Sequence, residues 1–285
     1  MKFQEIFIKK YYRISKEGNQ LIKTKIMERD LSRAKIASLV GISEGYADHL
    51  IRNDRNFRED KLLKMLPFLS VNLSSDYFIP QNTFHGKFMT LPRESSPELM
   101  QIIGYFLGDG NLQNRSIRFK DSNKKVLRVY QKLIEKTFNV KGKIVPQKKT
   151  IAYLLEINSL YLRNWFKENI ILRKKKFLER VKQLPKKEVA TFLRGLFDAE
   201  GCVASQSRQI RLGLTDEVIG RILPHLLFKL GITSSFYRIK RKESNWKDVY
   251  LISLNNRIAF KKFSDLIKFS SKEKIKKLNL LFKNN

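Results

Sequence analysis

Apolar and polar positions change their spacing near residue 96. Before residue 78 the apolar positions recur at helical intervals, so residues 1–78 read as helices. Residues 79–95 (IPQNTFHGKFMTLPRES) hold two prolines and a glycine with little periodicity, which predicts a linker. From residue 96 onward, helical and alternating patterns follow one another. In IRF (117–119), YLLEI (153–157), IRLGL (210–214) and YLISL (250–254) apolar residues alternate, the pattern of half-buried strands. One face of each such sheet is expected to pack on helices. The other carries Arg118 and Lys120 in one stretch, and Arg211, Arg238, Lys240 and Lys242 in the other.

This region repeats itself. SSPELMQIIGYFLGDGN (95–111) matches KKEVATFLRGLFDAEGC (186–202) at an offset of 91. Gly104 then pairs with Gly195, Phe106 with Phe197, Gly108 with Ala199, Asp109 with Glu200 and Gly110 with Gly201. RSIRFKDSNKKVLRVYQKLI matches RQIRLGLTDEVIGRILPHLL, with Arg118 on Arg211. YLLEINSLYLRNWFKENI matches YLISLNNRIAFKKFSDLI, with Asn158 on Asn255. Each half therefore predicts helix, strand pair, helix, strand pair, helix.

The first repeated helix can be capped by Ser95 or Ser96, with Pro97 in its first turn and Glu98 at a capping-box spacing from Ser95. Gly104 and Gly108 lie four apart on one face, as do Gly195 and Ala199. Small residues at that spacing allow close backbone approach, so the two helices are expected to pack together about a pseudo-twofold axis. Each helix ends in an acid followed by a glycine that suits a left-handed terminal position. An acid at a helix C-terminus opposes the dipole, and two acids side by side repel each other. Divalent cations would relieve both, and metals held there could activate water and stabilise the leaving oxygen of a phosphodiester.

Charge points to the same chemistry. The formal net charge is +31, with 58 Lys and Arg against 27 Asp and Glu spread along 285 residues. Such an excess calls for a polyanionic partner, and a β-ribbon with a basic face can enter a DNA groove. No apolar run reaches transmembrane length and no signal peptide is evident, so the expectation is a soluble intracellular protein, in cytoplasm or organelle matrix, that is not secreted and has no membrane partner. Cys202 is the single cysteine, which excludes disulfides and cysteine zinc sites; it is expected to be buried. His49, His85 and His225 have no metal-ligand spacing, Trp165 is read as packing and Trp246 as a loop residue.

GYFLGDGN (104–111) and FLRGLFDAEG (192–201) resemble the paired motifs of the LAGLIDADG homing endonucleases, and the similarity extends over roughly residues 96–285. The resemblance implies an α+β fold, a pseudo-twofold duplicated αββαββα endonuclease domain with saddle-shaped antiparallel sheets (96–185 and 186–285), preceded by an all-α domain. It implies that Asp109 and Glu200, with backbone near Gly108 and Ala199, hold Mg²⁺ or Mn²⁺, Ca²⁺ binding without supporting cleavage. Lys120 is the assisting basic residue; the matching place in the second half holds Gly213 or Leu214, with Lys240 or Lys242 as substitutes. DNA contacts are expected from Arg115, Arg118, Lys120, Lys143, Gln147, Lys149, Arg208, Arg211, Arg238, Lys240 and Lys242. A monomer cutting both strands of a long asymmetric site follows, freestanding or intron-encoded because no intein-like splice junctions are seen at the ends. Leu107 departs from the family's earlier acidic position, which Asp198 fills in the second copy.

RAKIASLVGISEGYADHLIRN (33–53) has a helix-turn-helix cadence, with Ala37 at the crossing, Gly41 and Ile42 at the turn and Ser43 as a cap. The segment KLLKMLPFLSVNLSSDYF that follows resembles the closing helices of Cro/repressor-type domains. Glu44, Tyr46, Asp48, His49, Arg52 and Arg55 are expected to face DNA. The alternative function is a non-cleaving nucleic-acid binder: an intron RNA maturase or a transcription regulator on a retired nuclease.

Overall fold

The structure is a computed structural model that describes residues 1–3, 11–53, 57–72, 77–81, 89–147, 150–241 and 247–283. Arg55, His85, Lys149, Lys242 and Trp246, and the middle of the expected linker, lie outside the described residues. The chain forms two compact units, residues 7–90 and residues 1–6 with 91–285. Among the described residues, no helix is long and apolar enough to cross a membrane.

The unit of residues 7–90 holds α1 (Lys16–Glu28), α2 (Arg33–Val40), α3 (Glu44–Arg52) and α4 (Glu59–Leu69). It is not all-helical. β1 (Tyr11–Ile14) pairs antiparallel with β2 (Phe57–Arg58) on one side and β3 (Phe78–Gln81) on the other. These strands are two to four residues long, too short for alternation to register. β3 also places Ile79, Pro80 and Gln81 in a strand where the sequence predicts a linker, and among the described residues of this unit one helix, α4, follows α3 where the sequence predicts closing helices. Ile22, Ala47, Leu50, Phe57 and Leu62 are fully buried in the core of this unit. Between α2 and α3, Gly41 adopts φ +64°, Ala37 is buried and the Ser43 side chain accepts from Tyr46 N, so the expected turn is built as read.

The second unit is the duplicated α+β domain. The first half runs α5 (Pro97–Asp109), β4 (Gly110–Leu112), β5 (Ser116–Asp121), α6 (Lys124–Phe138), β6 (Lys143–Pro146), β7 (Tyr153–Asn158) and α7 (Leu160–Phe166). α8 (Lys174–Val181) leads to the second half: α9 (Lys186–Ala199), β8 (Gly201–Ala204), β9 (Gln209–Leu214), α10 (Glu217–Lys229), β10 (Ser235–Ile239), β11 (Val249–Leu254) and α11 (Arg257–Lys262), followed by α12 (Lys272–Lys283). The sheets have the same antiparallel order, β4-β5-β7-β6 and β8-β9-β11-β10. Even a π-helical turn recurs, at Lys167–Ile171 and Phe263–Ile267. Ile117, Phe119, Leu155 and Ile157 are buried on one face of the first sheet, and Ile210, Leu212, Ile252 and Leu254 on the second.

Ser96, rather than Ser95, caps α5 by accepting from Leu99 N. The helices α5 and α9 meet backbone to backbone. A Cβ on Gly104 would lie 2.1 Å from Phe192 O, and one on Gly195 would lie 2.2 Å from Gln101 O. A Cβ on Gly108 would lie 2.6 Å from the Ala199 Cβ. The small-residue faces are therefore obligatory at this crossing. Phe106 of α5 and Phe192, Leu196 and Phe197 of α9 are buried.

Gly104→Ala and Gly195→Ala are expected to destabilise the fold by about 1–3 kcal/mol or more through overpacking. Alanine's better helix propensity, about 1 kcal/mol, opposes this and loses. Gly213→Ala serves as control, because its Cβ would meet Val249 and Leu251 only at 3.6 and 3.8 Å. Urea unfolding of the three variants measures the contrast; equal stability of all three would refute the obligatory contact.

Candidate functional site

The crossing of α5 and α9 decides where the acids go. α5 ends at Asp109 and α9 gives way at Glu200, each one residue before a strand begins. The glycines that follow are not left-handed: Gly110 sits at φ −93°, ψ 150°, and neither it nor Gly201 has a positive φ. They are needed for space instead. A Cβ on Gly110 would lie 2.2 Å from the Phe106 ring, and one on Gly201 2.5 Å from Phe197 O. The chain thus turns directly from helix into strand against its own aromatic residue, which fixes each acid at the junction.

The two acids are neighbours. Glu200 Cγ lies 3.1 Å from the position a Gly108 Cβ would take. Burial raises the Asp109 carboxyl above its ordinary pKa, with Asp121 adding to the rise and Lys274 and Lys120 opposing it. Burial also raises Glu200, with Asp109 adding and Lys274 opposing. The expected like-charge pair is present. Among the described residues no group of three His, Cys, Asp or Glu has a metal-binding arrangement. Two neighbouring carboxylates are oxygen donors of the kind that hard divalent cations take, one or two at a time, alongside waters.

Sequence reasoning missed a cation that acts on both acids. Lys274, in the first turn of α12, is partly buried and donates from Nζ to Asp198 O at 2.6 Å and Phe197 O at 3.1 Å. Burial lowers its pKa, while Asp198, Asp121 and Asp109 hold it up. Its position lies beyond the last aligned block of the repeat, so no internal comparison could flag it. Lys120 is exposed at the end of β5 and acts on Asp109. Its counterpart Gly213 carries no side chain although there is room for one.

Asp198 is a structural group. It is 2% exposed, accepts from Tyr130 Oη at 2.7 Å and from Ser270 N at 2.7 Å, and so ties α6 of the first half to α9 of the second. Gln101 adds donors to Tyr130 Oη and Ser270 Oγ. Leu107, at the matching place in the first half, has no carboxylate to make such a bridge. Asp121 accepts from Tyr105 Oη at 2.8 Å and Asn123 N at 2.7 Å. Cys202 is exposed, not buried, because it lies on the outer side of β8 between the buried Gly201 and Val203.

The expected basic face is partly neutralised. Arg118 pairs with Glu156 across the β5–β7 register at 2.7 Å, and Arg238 pairs with Asp248 at 2.7 Å. Arg211 donates to Gln209 and Ser207, Arg208 to Leu281 O, and Gln147 Oε1 accepts from Thr150. Arg115, Lys120, Lys143 and Lys240 are exposed. The edge strand β10 also exposes Phe236, Tyr237 and Ile239. On α3, Tyr46 does not point outward: its ring meets Phe57 edge-on at 6.0 Å and its hydroxyl accepts from Arg58 N. Asp48 bridges Arg33 and Arg52, at 3.1 and 2.9 Å, and so clamps α2 to α3. Glu44 is exposed and His49 half-buried.

In the absence of divalent ions, Asp109→Asn and Glu200→Gln should each be more heat-stable than the parent near pH ~7. Because burial raises both acids, the protonated forms favour folding. That contribution is complete below the ordinary values of 3.8 and 4.5 and is lost as pH rises through the raised values. The advantage should therefore vanish on acidification below about pH 4. Melting curves in EDTA test this; roughly 2–4 °C in Tm corresponds to about 1 kcal/mol. A constant difference at all pH values would count against buried acids as the cause.

A family model described as a LAGLIDADG-like domain matches residues 96–170 and 187–268. Among curated proteins, the chain is 32% identical over 288 residues to a glutamine–fructose-6-phosphate aminotransferase of Methanocaldococcus jannaschii, covering 99% of this chain and 26% of that protein. It is 29% identical to a replication factor C small subunit of the same organism, covering 64% of this chain and 10% of the relative. It is also 30% identical to an uncharacterized M. jannaschii protein, covering 65% of this chain and 72% of the relative. The chain thus spans about a quarter or less of the first two. Among solved structures, the homing endonuclease I-DmoI in complex with DNA and Ca superposes with a TM-score of 0.48 at 22% identity, covering 63% of this chain and 96% of that one. Full-length DUF199/WhiA from Thermatoga maritima gives 0.46 at 15%, covering 69% and 63%. Two matched blocks, one on each half of the duplication and each containing one acidic helix end, place this chain in the LAGLIDADG-like domain family.

Proposed function

We propose that this chain is a site-specific DNA endonuclease that makes a divalent-metal-dependent double-strand break in a long asymmetric site. The observation that carries the reading is the pair Asp109 and Glu200: two partly buried, mutually repelling acids at matched helix ends, in a chain of formal charge +31. Such a pair is costly in the free protein and useful once cations and a phosphodiester arrive.

Asp109 and Glu200, with nearby backbone at Gly108 and Ala199, would hold Mg²⁺ or Mn²⁺. A metal bound there would lower the pKa of water and stabilise the leaving oxygen. Lys120, which acts on Asp109, would offset negative charge on a phosphate bound there. Arg115, Lys143 and Lys240, and Arg118, Arg211 and Arg238 by exchanging their present partners, would meet the backbone and base edges. Because both acids come from one chain, a monomer completes the site. Because the halves differ in sequence, the DNA site is asymmetric. The α2–turn–α3 element would extend the contact, with Glu44 and Arg52 its outward groups. The curated relatives bear unrelated activities in their names. The small share of their length that this chain spans supports an embedded module rather than the source of those activities.

The test is incubation with a plasmid library, with and without Mg²⁺, followed by recovery of cut sites. Cleavage should require the metal. Asp109→Asn should bind the recovered site as the parent does and cut it at least about 100-fold more slowly, the upper range for loss of a mere outer-sphere partner. Binding should weaken by about 10³-fold or more between roughly 50 and 200 mM salt if six or more phosphates are contacted. A tightly bound site that is never nicked would favour the non-cleaving reading, and preference for RNA over DNA a maturase.

A further inference from the structure

We infer that Lys274 is a positioning residue shared by both acids, holding the end of α9 so that Glu200 stands beside Asp109 for metal; this rests on the nuclease reading above. Five observations converge on it. First, its Nζ hydrogen-bonds the carbonyls of Phe197 and Asp198 in the last turn of α9, where carbonyls run short of helical partners; Phe197 O has the Glu200 amide besides. Second, Lys274 is partly buried, and Asp198, Asp121 and Asp109 act on its ammonium. Third, it acts on both Asp109 and Glu200. Fourth, Ser271 caps the first turn of α12 by accepting from Lys274 N, and Ser270 N donates to Asp198, so both ends of the short segment that brings Lys274 in are pinned. Fifth, Gly213 leaves the second half without a strand lysine although a side chain would fit. The second cation enters from α12 instead.

The physical consequence follows from what the ammonium touches. The C-terminal end of a helix carries about half a negative charge, and Lys274 sits on that end. Much of its field is therefore spent on the helix itself, and its remaining effect on an incoming cation is geometric. Without it, Asp198 O loses its donor and Phe197 O keeps only the Glu200 amide, the turn through Ala199 and Glu200 loosens, and Glu200 leaves the place opposite Gly108. Partners of this outer kind typically change metal affinity or activity by about 10–100-fold.

Two measurements on the full chain test this with Lys274→Met, Lys274→Arg and Lys120→Met. The first needs no metal: hydrogen exchange in EDTA of the peptide covering residues 197–203. Lys274→Met should speed exchange there about tenfold, leave residues 104–110 near the parent rate, and be largely rescued by Lys274→Arg. The second is the Mn²⁺ concentration for half-maximal cleavage of a plasmid carrying the recovered site. Lys274→Met should raise it about tenfold or more, with the rate recovering at high Mn²⁺ and both strands affected together; Lys120→Met should instead accumulate the nicked form. Unchanged exchange, or a lower maximal rate at an unchanged Mn²⁺ requirement, overturns the positioning role. If the parent cuts no site in the library, the nuclease reading falls, and the exchange result still decides what Lys274 does to α9. Should Lys274→Met fail to fold, Lys274→Gln, which keeps a donor and drops the charge, takes its place in both measurements.

Discussion

Backbone contact between α5 and α9 is possible only because Gly104, Gly108, Gly195 and Ala199 present almost no side chain, and everything at the site depends on it. A single added Cβ at Gly104 or Gly195 would lie about 2 Å from a carbonyl oxygen of the other helix. Close packing transmits such a displacement, since there is no slack to absorb it. The same contact makes the two helices end side by side. Each then turns abruptly into a strand at a glycine pressed against its own Phe106 or Phe197. Asp109 and Glu200 are thereby held together by backbone geometry, before any attraction between side chains enters.

Holding two acids this way has an electrostatic cost, and the molecule treats its carboxylates differently according to use. Asp198 is buried deepest but fully engaged, by Tyr130 and the Ser270 amide, and it joins the halves. Asp121 is occupied by Tyr105 and Asn123. Asp109 and Glu200 are partly buried, raised by burial and in Glu200's case by the other acid directly, and countered chiefly by Lys274. Groups with perturbed ionisation at a composite junction are where function is expected. The network around Asp198 and Lys274 then serves as the frame within which that pair stays poised.

Much of this was legible in the chain. The duplication, the element order of each half, the small-residue faces and the two acids all follow from spacing, because a repeated helix of period 3.6 and strands of period 2 leave matching marks at a fixed offset. The helix caps and the turn at Gly41 were legible for the same local reason. The glycines after the acids misled: their type was read correctly, but their purpose is clearance from Phe106 and Phe197 rather than a left-handed backbone. The three-stranded sheet of the first unit was illegible because its strands are too short to alternate. Tyr46 and Asp48 are expected from the helix-turn-helix cadence to face DNA, yet one packs on Phe57 and the other clamps two arginines.

By itself the sequence determined what is periodic and local: two copies of one fold unit, an acid at each motif helix end, a strongly basic chain and the capped turn between α2 and α3. The tertiary structure decided what is non-local. It placed Glu200 against Gly108 and brought Lys274 back onto the last carbonyls of α9 from beyond the repeat. It also took Arg118 and Arg238 into pairs with Glu156 and Asp248. Contacts between residues tens of positions apart leave no spacing in the chain, because they are set by how helices and sheets pack and by which charges that packing leaves without water.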